Sequence, residues 1–178
     1  MRRVVLAQQL NEDPRALRFV KNAEGKPRLV EDRQSCLSGQ AGSPVLHFNI
    51  SHAAERVVMA VSTQPLGVDI EGPRIVKDAA HIAQRFFAPE EQAAVVDQAA
   101  FFAIWTAKEA VIKATGLGLS QALDSFVVHP ELDRYTPVQS RDASLSGLNV
   151  RSFALDGGYR GAVAIRGTPD VQFRRLPC

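Results

Sequence analysis

The longest helical pattern in the chain covers residues 99–115 and is followed by Gly116, a residue suited to end a helix in the left-handed conformation. Shorter patterns predict helices over residues 4–10, 78–87 and 89–97. The last of these begins at Pro89, a favoured first helical residue, with two glutamates in the first turn. The helices therefore concentrate in the middle of the chain.

Alternating or short apolar runs predict strands on both sides of these helices, with a polar loop over residues 31–44 and a hairpin turn at residues 156–158. Strands before and after a helical block indicate an α+β fold and not alternating βαβ units. The turn at Gln64-Pro65 predicts a seam between two halves, residues 1–64 and 65–178. The predicted strands cover residues 17–20, 28–30, 46–51, 57–61, 68–71, 123–128, 150–155 and 160–166.

Composition narrows the class of protein. The 178 residues include 21 Lys plus Arg and 19 Asp plus Glu, a net charge of +2 that argues against a nucleic-acid coat or a polybasic membrane binder. Two cysteines, Cys36 and Cys178, are too few for a disulfide framework. With no bilayer-length apolar run and no secretory leader, we expect a cytoplasmic protein without nucleic-acid or membrane partners.

Two carboxylates stand two residues apart in the predicted strand 68–71. Because side chains alternate across a sheet, Asp69 and Glu71 point to the same face. Such a pair is either a solvated surface feature or part of a site for a hard cation such as Mg²⁺, which prefers oxygen ligands.

A second charged pattern lies on the long helix. Trp105, Glu109 and Lys113 are four residues apart and share one face. The simpler interpretation is a Glu–Lys pair below a core tryptophan. In the functional interpretation, Glu109 completes a metal site with the strand acids, while Lys113 and Lys108 face anionic oxygens, an arrangement typical of phosphoryl transfer.

Three further residues are candidate phosphate contacts. Ser51 and His52 end a predicted strand, where they either bind a phosphate or serve a structural role. They are poor candidates for a nucleophile–base pair, because neighbours on a strand point in opposite directions. Lys26 either approaches an anion or belongs only to a turn.

Taken together and in order, these stretches resemble the Sfp-type 4′-phosphopantetheinyl transferases of the holo-carrier-protein synthase superfamily. Residues 84–91 and 118–126 also resemble that family. The stretches that carry the resemblance are residues 24–27 (EGKP), 48–52 (FNISH), 67–71 (GVDIE) and 105–113 (WTAKEAVIK).

The resemblance implies a pseudo-twofold pair of α+β halves and a holo-[acyl-carrier-protein] synthase type of reaction. Coenzyme A would give its phosphopantetheine arm to a serine of an apo acyl or peptidyl carrier protein, releasing adenosine 3′,5′-bisphosphate. Mg²⁺ would be held by Asp69, Glu71 and Glu109.

The resemblance also implies roles for single residues. Glu109 would accept the serine proton and Lys113 would face the pyrophosphate. Lys108, Ser51 and His52 would contact phosphate oxygens, and Lys26 would lie at the nucleotide end. Residues 74–89 would face the acidic carrier.

The chain departs from the family pattern at its N-terminal end, so we expect the first half to be incomplete. We expect a monomer, or a dimer that covers the open sheet edge. Two other functions stay open: a non-catalytic remnant that binds coenzyme A or a carrier protein, and a metal-dependent phosphohydrolase acting on coenzyme A.

Overall fold

The computed structural model describes residues 2–22, 25–30 and 45–175. Both cysteines and the whole of the predicted loop 31–44 lie outside these ranges. The described helices and strands form an α+β protein, as predicted. In chain order they are α1 (Arg2–Leu10), β1 (Phe19–Lys21), β2 (Pro27–Leu29), β3 (His47–Ala53), β4 (Arg56–Ser62), β5 (Leu66–Glu71), α2 (Ala79–Phe86), α3 (Pro89–Gln92), α4 (Gln98–Thr115), β6 (Phe126–Val127), β7 (Tyr135–Pro137), β8 (Gln139–Ser140), β9 (Leu148–Leu155) and β10 (Tyr159–Arg166).

The largest described sheet has four antiparallel strands in the order β5-β10-β9-β7. Its register pairs Asp69 with Ala162 and Glu71 with Arg160. Both acids therefore project from the same face of β5, as the alternation of strand residues predicts. The α4 helix packs across β5, β10 and β9 and contributes eight of the 17 buried residues of the larger hydrophobic core.

The α4 helix keeps the predicted length because both of its ends are capped. The Asp97 side chain accepts a hydrogen bond from the Ala100 amide at 2.7 Å, which satisfies a donor of the first turn. At the other end Gly116 adopts φ +72°, and its amide donates to the Ile112 carbonyl. That left-handed conformation favours glycine.

The described residues of the first half of the chain form two hairpins and one helix. β1 pairs with β2 and β3 pairs with β4, each as a separate two-stranded sheet. A smaller hydrophobic cluster, centred on Leu6, Ala7, Leu17 and Phe48, holds α1 against these hairpins. The division of the chain at Gln64-Pro65 stays a prediction.

Two predicted elements were wrong in extent. The helix predicted over 89–97 ends at Gln92, because the chain must extend at Asp97 to cap α4. The strand predicted over 123–128 begins as a 3₁₀ turn, Leu123–Ser125, before two residues of β6. The short strands β7 and β8 were not predicted, since neither has enough residues to display an alternating pattern. No helix in the described ranges is long and apolar enough to cross a membrane.

Candidate active site

The helix α4 closely approaches the sheet at Gly67 on β5. A β-carbon added there would lie 2.0 Å from the Ala110 carbonyl oxygen and 2.4 Å from the Ala114 amide nitrogen. Only a residue without a side chain allows the helix backbone to come so close to the strand. This contact brings the part of α4 that carries Glu109 and Lys113 beside the two acids of β5.

Lys113, Asp69 and Ser51 form the centre of the site. The Lys113 Nζ atom lies 2.6 Å from Asp69 Oδ1 and donates to Ser51 Oγ at 3.2 Å. Ser51 Oγ in turn donates to the same Asp69 oxygen at 2.8 Å. The Asp69 side chain is only 8% exposed, whereas that of Lys113 is 28% exposed and so reachable from solvent. A cation held over a buried acid can exchange that partner for an incoming anion.

Glu109 lies close enough to this cluster to share its electrostatic field. Burial raises the pKa of the Glu109 carboxyl, the negative charges of Asp69 and Glu71 raise it further, and the Lys113 ammonium lowers it. The three acids predicted to form one site therefore do influence each other. Glu71 also has a cation of its own, Arg74, whose guanidinium contacts both of its carboxylate oxygens at 3.2 and 3.3 Å.

The acids have the chemistry of a site for a hard divalent cation, although their present arrangement is not one. Carboxylate oxygens are the ligands that Mg²⁺ prefers. Burial first, and then the negative charges of Asp69 and Glu71, raise the pKa of Glu109, and a bound cation would offset both effects. Among the described residues, no three His, Cys, Asp or Glu side chains are gathered closely enough to hold a metal ion. Lys113 and Arg74 contact two of the acids instead, so the donor set fits Mg²⁺ once these cations turn away.

Two polar side chains of β3 link the first half of the chain to this site. Asn49 Oδ1 accepts from the Val68 amide at 2.8 Å, and Ser51 Oγ accepts from the Ile70 amide at 3.3 Å. β3 thus bonds to β5 through side chains and leaves a polar seam next to Asp69. Asn49 was not predicted as a site residue, although its position two residues before Ser51 places both on one face of the strand.

The family model described as "4'-phosphopantetheinyl transferase superfamily" matches residues 65–164, which include β5, α4 and every acid of the site. This chain belongs to that superfamily. The match confirms the resemblance seen in the sequence motifs.

Curated relatives agree with this assignment to the phosphopantetheinyl transferases. The 4′-phosphopantetheinyl transferase Sfp of Bacillus subtilis (strain 168) is 33% identical over 167 residues, which cover 90% of this chain and 68% of Sfp. The transferase psf-1 of Bacillus pumilus is 38% identical over 129 residues, 69% of this chain and 54% of psf-1. HetI of Nostoc is 34% identical over 126 residues, covering 67% of this chain and 50% of HetI.

Of the other two predicted phosphate contacts in this member of the phosphopantetheinyl transferase superfamily, Lys26 reaches the cluster and His52 does not face it. Lys26 Nζ donates to the carbonyl oxygens of Leu66, at 3.1 Å, and of Lys113. Burial, followed by the charge of Lys113, lowers the pKa of Lys26. His52 is exposed and, as the next residue on β3, points away from the face that carries Ser51. Their predicted contacts with coenzyme A stay predictions.

Lys108 is not part of the cluster, and its predicted contact with phosphate stays a prediction. Its side chain is fully buried on another face of α4, where Nζ lies 2.7 Å from Glu91 Oε2. One residue along a helix is a rotation of about 100°, so Lys108 cannot face the same way as its neighbour Glu109. The spacing of the helix already contained this signal, because Lys108 is not on the stripe of Trp105, Glu109 and Lys113.

Proposed function

We propose that this chain transfers the 4′-phosphopantetheine group of coenzyme A to a serine hydroxyl of an acyl or peptidyl carrier protein. Adenosine 3′,5′-bisphosphate is the second product, so the reaction is that of a holo-carrier-protein synthase. Membership of the superfamily supports 4′-phosphopantetheine as the group that is transferred. The observation that carries the proposal is the cluster in which Lys113 contacts Asp69 and Ser51 beside Glu109, whose pKa is raised.

Asp69, Glu71 and Glu109 are the residues that would hold Mg²⁺ in this proposal. When bound, the ion supplies neutralisation of the negative charge on the pyrophosphate of coenzyme A. The chain contributes a preformed pair of acids on one strand face and a third on the helix packed against it.

Glu109 is the proposed general base. The carrier serine oxygen forms a bond to the phosphorus that bears pantetheine, while the bond from that phosphorus to the bridging oxygen breaks. The serine proton passes to a Glu109 carboxylate oxygen, directly or through a water molecule.

Lys113 is the proposed electrophilic partner. Its ammonium group is partly exposed and lies beside Asp69 and Ser51, from where it can turn from the Asp69 carboxylate toward phosphate oxygens in the same space. There it neutralises the bridging oxygen as that oxygen leaves with the bisphosphate, and it donates the proton that the leaving phosphate requires. Ser51, His52 and Lys26 are proposed contacts for the phosphates and the nucleotide end.

The test is the mass of an apo carrier protein incubated with this chain, coenzyme A and Mg²⁺. We expect the carrier to gain one phosphopantetheine group, and Glu109→Gln to slow transfer by about 10²–10⁴-fold, the usual contribution of a general base. Glu131→Gln, at an exposed ion pair with Arg134, is the control and should leave the rate unchanged.

Three outcomes would contradict the proposal. No mass increase on a carrier that another transferase modifies would refute transfer. Coenzyme A binding without turnover, measured by calorimetry, would favour a binding remnant. Release of phosphopantetheine in the absence of a carrier would indicate a phosphohydrolase.

A further inference from the structure

The ion pair between Lys108 and Glu91 has no part in the proposed chemistry, yet it is the most deeply buried charged contact of α4. Both side chains are 0% exposed, and Nζ lies 2.7 Å from Oε2. Burying two charges is costly, and apolar residues of similar size often stabilise a core equally well. A pair of this kind therefore needs a reason beyond stability.

The hydrogen bonds of this pair leave neither partner free to move. Lys108 Nζ also donates to the carbonyl oxygens of Leu123 and Phe126, each at 2.7 Å. Glu91 accepts from the Ala88 amide at 2.8 Å through Oε2 and from the Val128 amide at 2.7 Å through Oε1. An ammonium group has three donors, and all three are used.

These contacts join three parts of the fold. Glu91 belongs to the short helix α3 and Lys108 belongs to α4. The two carbonyl partners and the Val128 amide lie in residues 123–128, the segment that contains β6. The ammonium group also lies 4.4 Å from the centre of the Phe126 ring, a cation–π distance. The pair thus connects α4 to α3 and to residues 123–128.

The Lys108–Glu91 pair lies on the side of α4 opposite to the Gly67 contact. Lys108 and Ala110, whose carbonyl meets Gly67, are separated by about 200° around the helix axis. Contacts on opposite sides fix the rotation of a helix. That rotation decides whether Glu109 and Lys113 face Asp69.

We infer that Lys108 and Glu91 are positioning residues, which hold α4 in the rotation that places Glu109 and Lys113 beside Asp69. Directional hydrogen bonds to fixed backbone groups define an orientation more narrowly than apolar packing does. The kinetic consequence rests on the proposed function, whereas the orientation of α4 does not.

The experiment is a double-mutant cycle with Lys108→Met, Glu91→Gln and the combined variant. We expect each single variant to lower kcat by about 10–100-fold, because a misplacement of about 1 Å can cost 10²-fold, with KM for coenzyme A kept within about threefold. The combined variant should lower kcat by the factor of one single variant, since both changes break the same contact. Arg134→Met, at the exposed pair with Glu131, is the control.

Two kinetic outcomes would overturn the inference. A raised KM for coenzyme A with unchanged kcat in Lys108→Met would indicate a phosphate ligand. Unchanged kcat and KM in both single variants, measured well below their melting temperatures, would indicate a purely structural pair. Glu91→Gln keeps the size of the side chain and an acceptor for the Val128 amide, so it carries the test where Lys108→Met does not fold.

The fluorescence of Trp105, the only tryptophan, separates this inference from the proposed function. Trp105 shares the stripe of Glu109 and stacks on Phe101 at 5.9 Å. If the wild-type protein transfers no phosphopantetheine, the proposed function is refuted. The emission maximum of Trp105 then tests the rotation of α4 by itself. Lys108→Met or Glu91→Gln should shift the emission maximum and Arg134→Met should not; an unshifted maximum in the first two overturns the inference.

Discussion

The two lysine ion pairs of α4 have nearly the same distance between the charged atoms but lie in different surroundings. Lys113 lies 2.6 Å from Asp69 and Lys108 lies 2.7 Å from Glu91. The side chains of the first pair are 28% and 8% exposed, and those of the second are both 0% exposed. Lys113 borders the polar seam beside β3, whereas Lys108 is enclosed by Glu91, Phe126 and backbone carbonyls.

This difference shows that a short distance between opposite charges does not define a role. A lysine that solvent can reach can exchange its carboxylate for the phosphate of a substrate. A lysine whose three donors are all used inside the core cannot do so without a large loss of hydrogen bonding. We therefore expect the replacement of Lys113 to lower activity more, and the replacement of Lys108 to lower stability more.

The largest expected effect is the loss of transfer in Lys113→Met. Removing the ammonium group takes away the proposed proton donor and should lower kcat by about 10²–10⁴-fold. Because the pair is partly solvated, the free energy of unfolding should fall by only about 1 kcal/mol. Carrier modification followed by mass spectrometry and urea unfolding measure the two quantities, with Lys21→Met, at an exposed lysine of β1, as the control. A variant that keeps full activity would remove Lys113 from the mechanism.

The next effect is on stability, in Lys108→Ala. Breaking a fully buried pair leaves Glu91 charged without its partner and should cost about 3–5 kcal/mol of unfolding free energy. Urea or guanidinium unfolding, followed by circular dichroism, measures this cost against that of Lys113→Met. A loss no larger than that of Lys113→Met would mean that the two pairs do not differ as their burial indicates.

A smaller effect on stability is expected at Gly67, the residue of β5 that the backbone of α4 approaches. Gly67→Ala would force the backbone of α4 away from β5 and should cost about 1–3 kcal/mol, as overpacked cores do. Gly72→Ala is the matched control, because its new β-carbon would meet the Tyr159 side chain at 3.1 Å and not a helix backbone. Equal stability losses at the two positions would contradict the close helix–strand contact as the reason for Gly67.

Much of the fold could be predicted from local patterns. The bounds of α4 follow from its apolar run and its cap residues, and the hairpin of β9 and β10 follows from the glycine pair at 157–158. The common face of Asp69 and Glu71 follows from strand alternation alone. By contrast, the end of α3 at Gln92 depended on the need to cap the next helix, which is a relation between two elements.

The candidate site was predictable in its residue types but not in its contacts. The motif that contains Lys108, Glu109 and Lys113 indicated acid and lysine chemistry beside an acidic strand. Helical spacing separates Lys108 from the stripe of Glu109 and Lys113, but its partners are Glu91, a residue 17 positions earlier, and carbonyls that follow α4. No local pattern connects these groups.

By itself, the amino-acid sequence determined where the helices and strands form, which acids share a face of β5, and to which superfamily the chain belongs. Those properties depend on neighbours along the chain, through helical spacing, strand alternation and capping. The tertiary structure decided which lysine meets solvent and which is enclosed, and how closely α4 approaches Gly67. Burial and close approach depend on groups that are distant in sequence, so only the packed chain decides them.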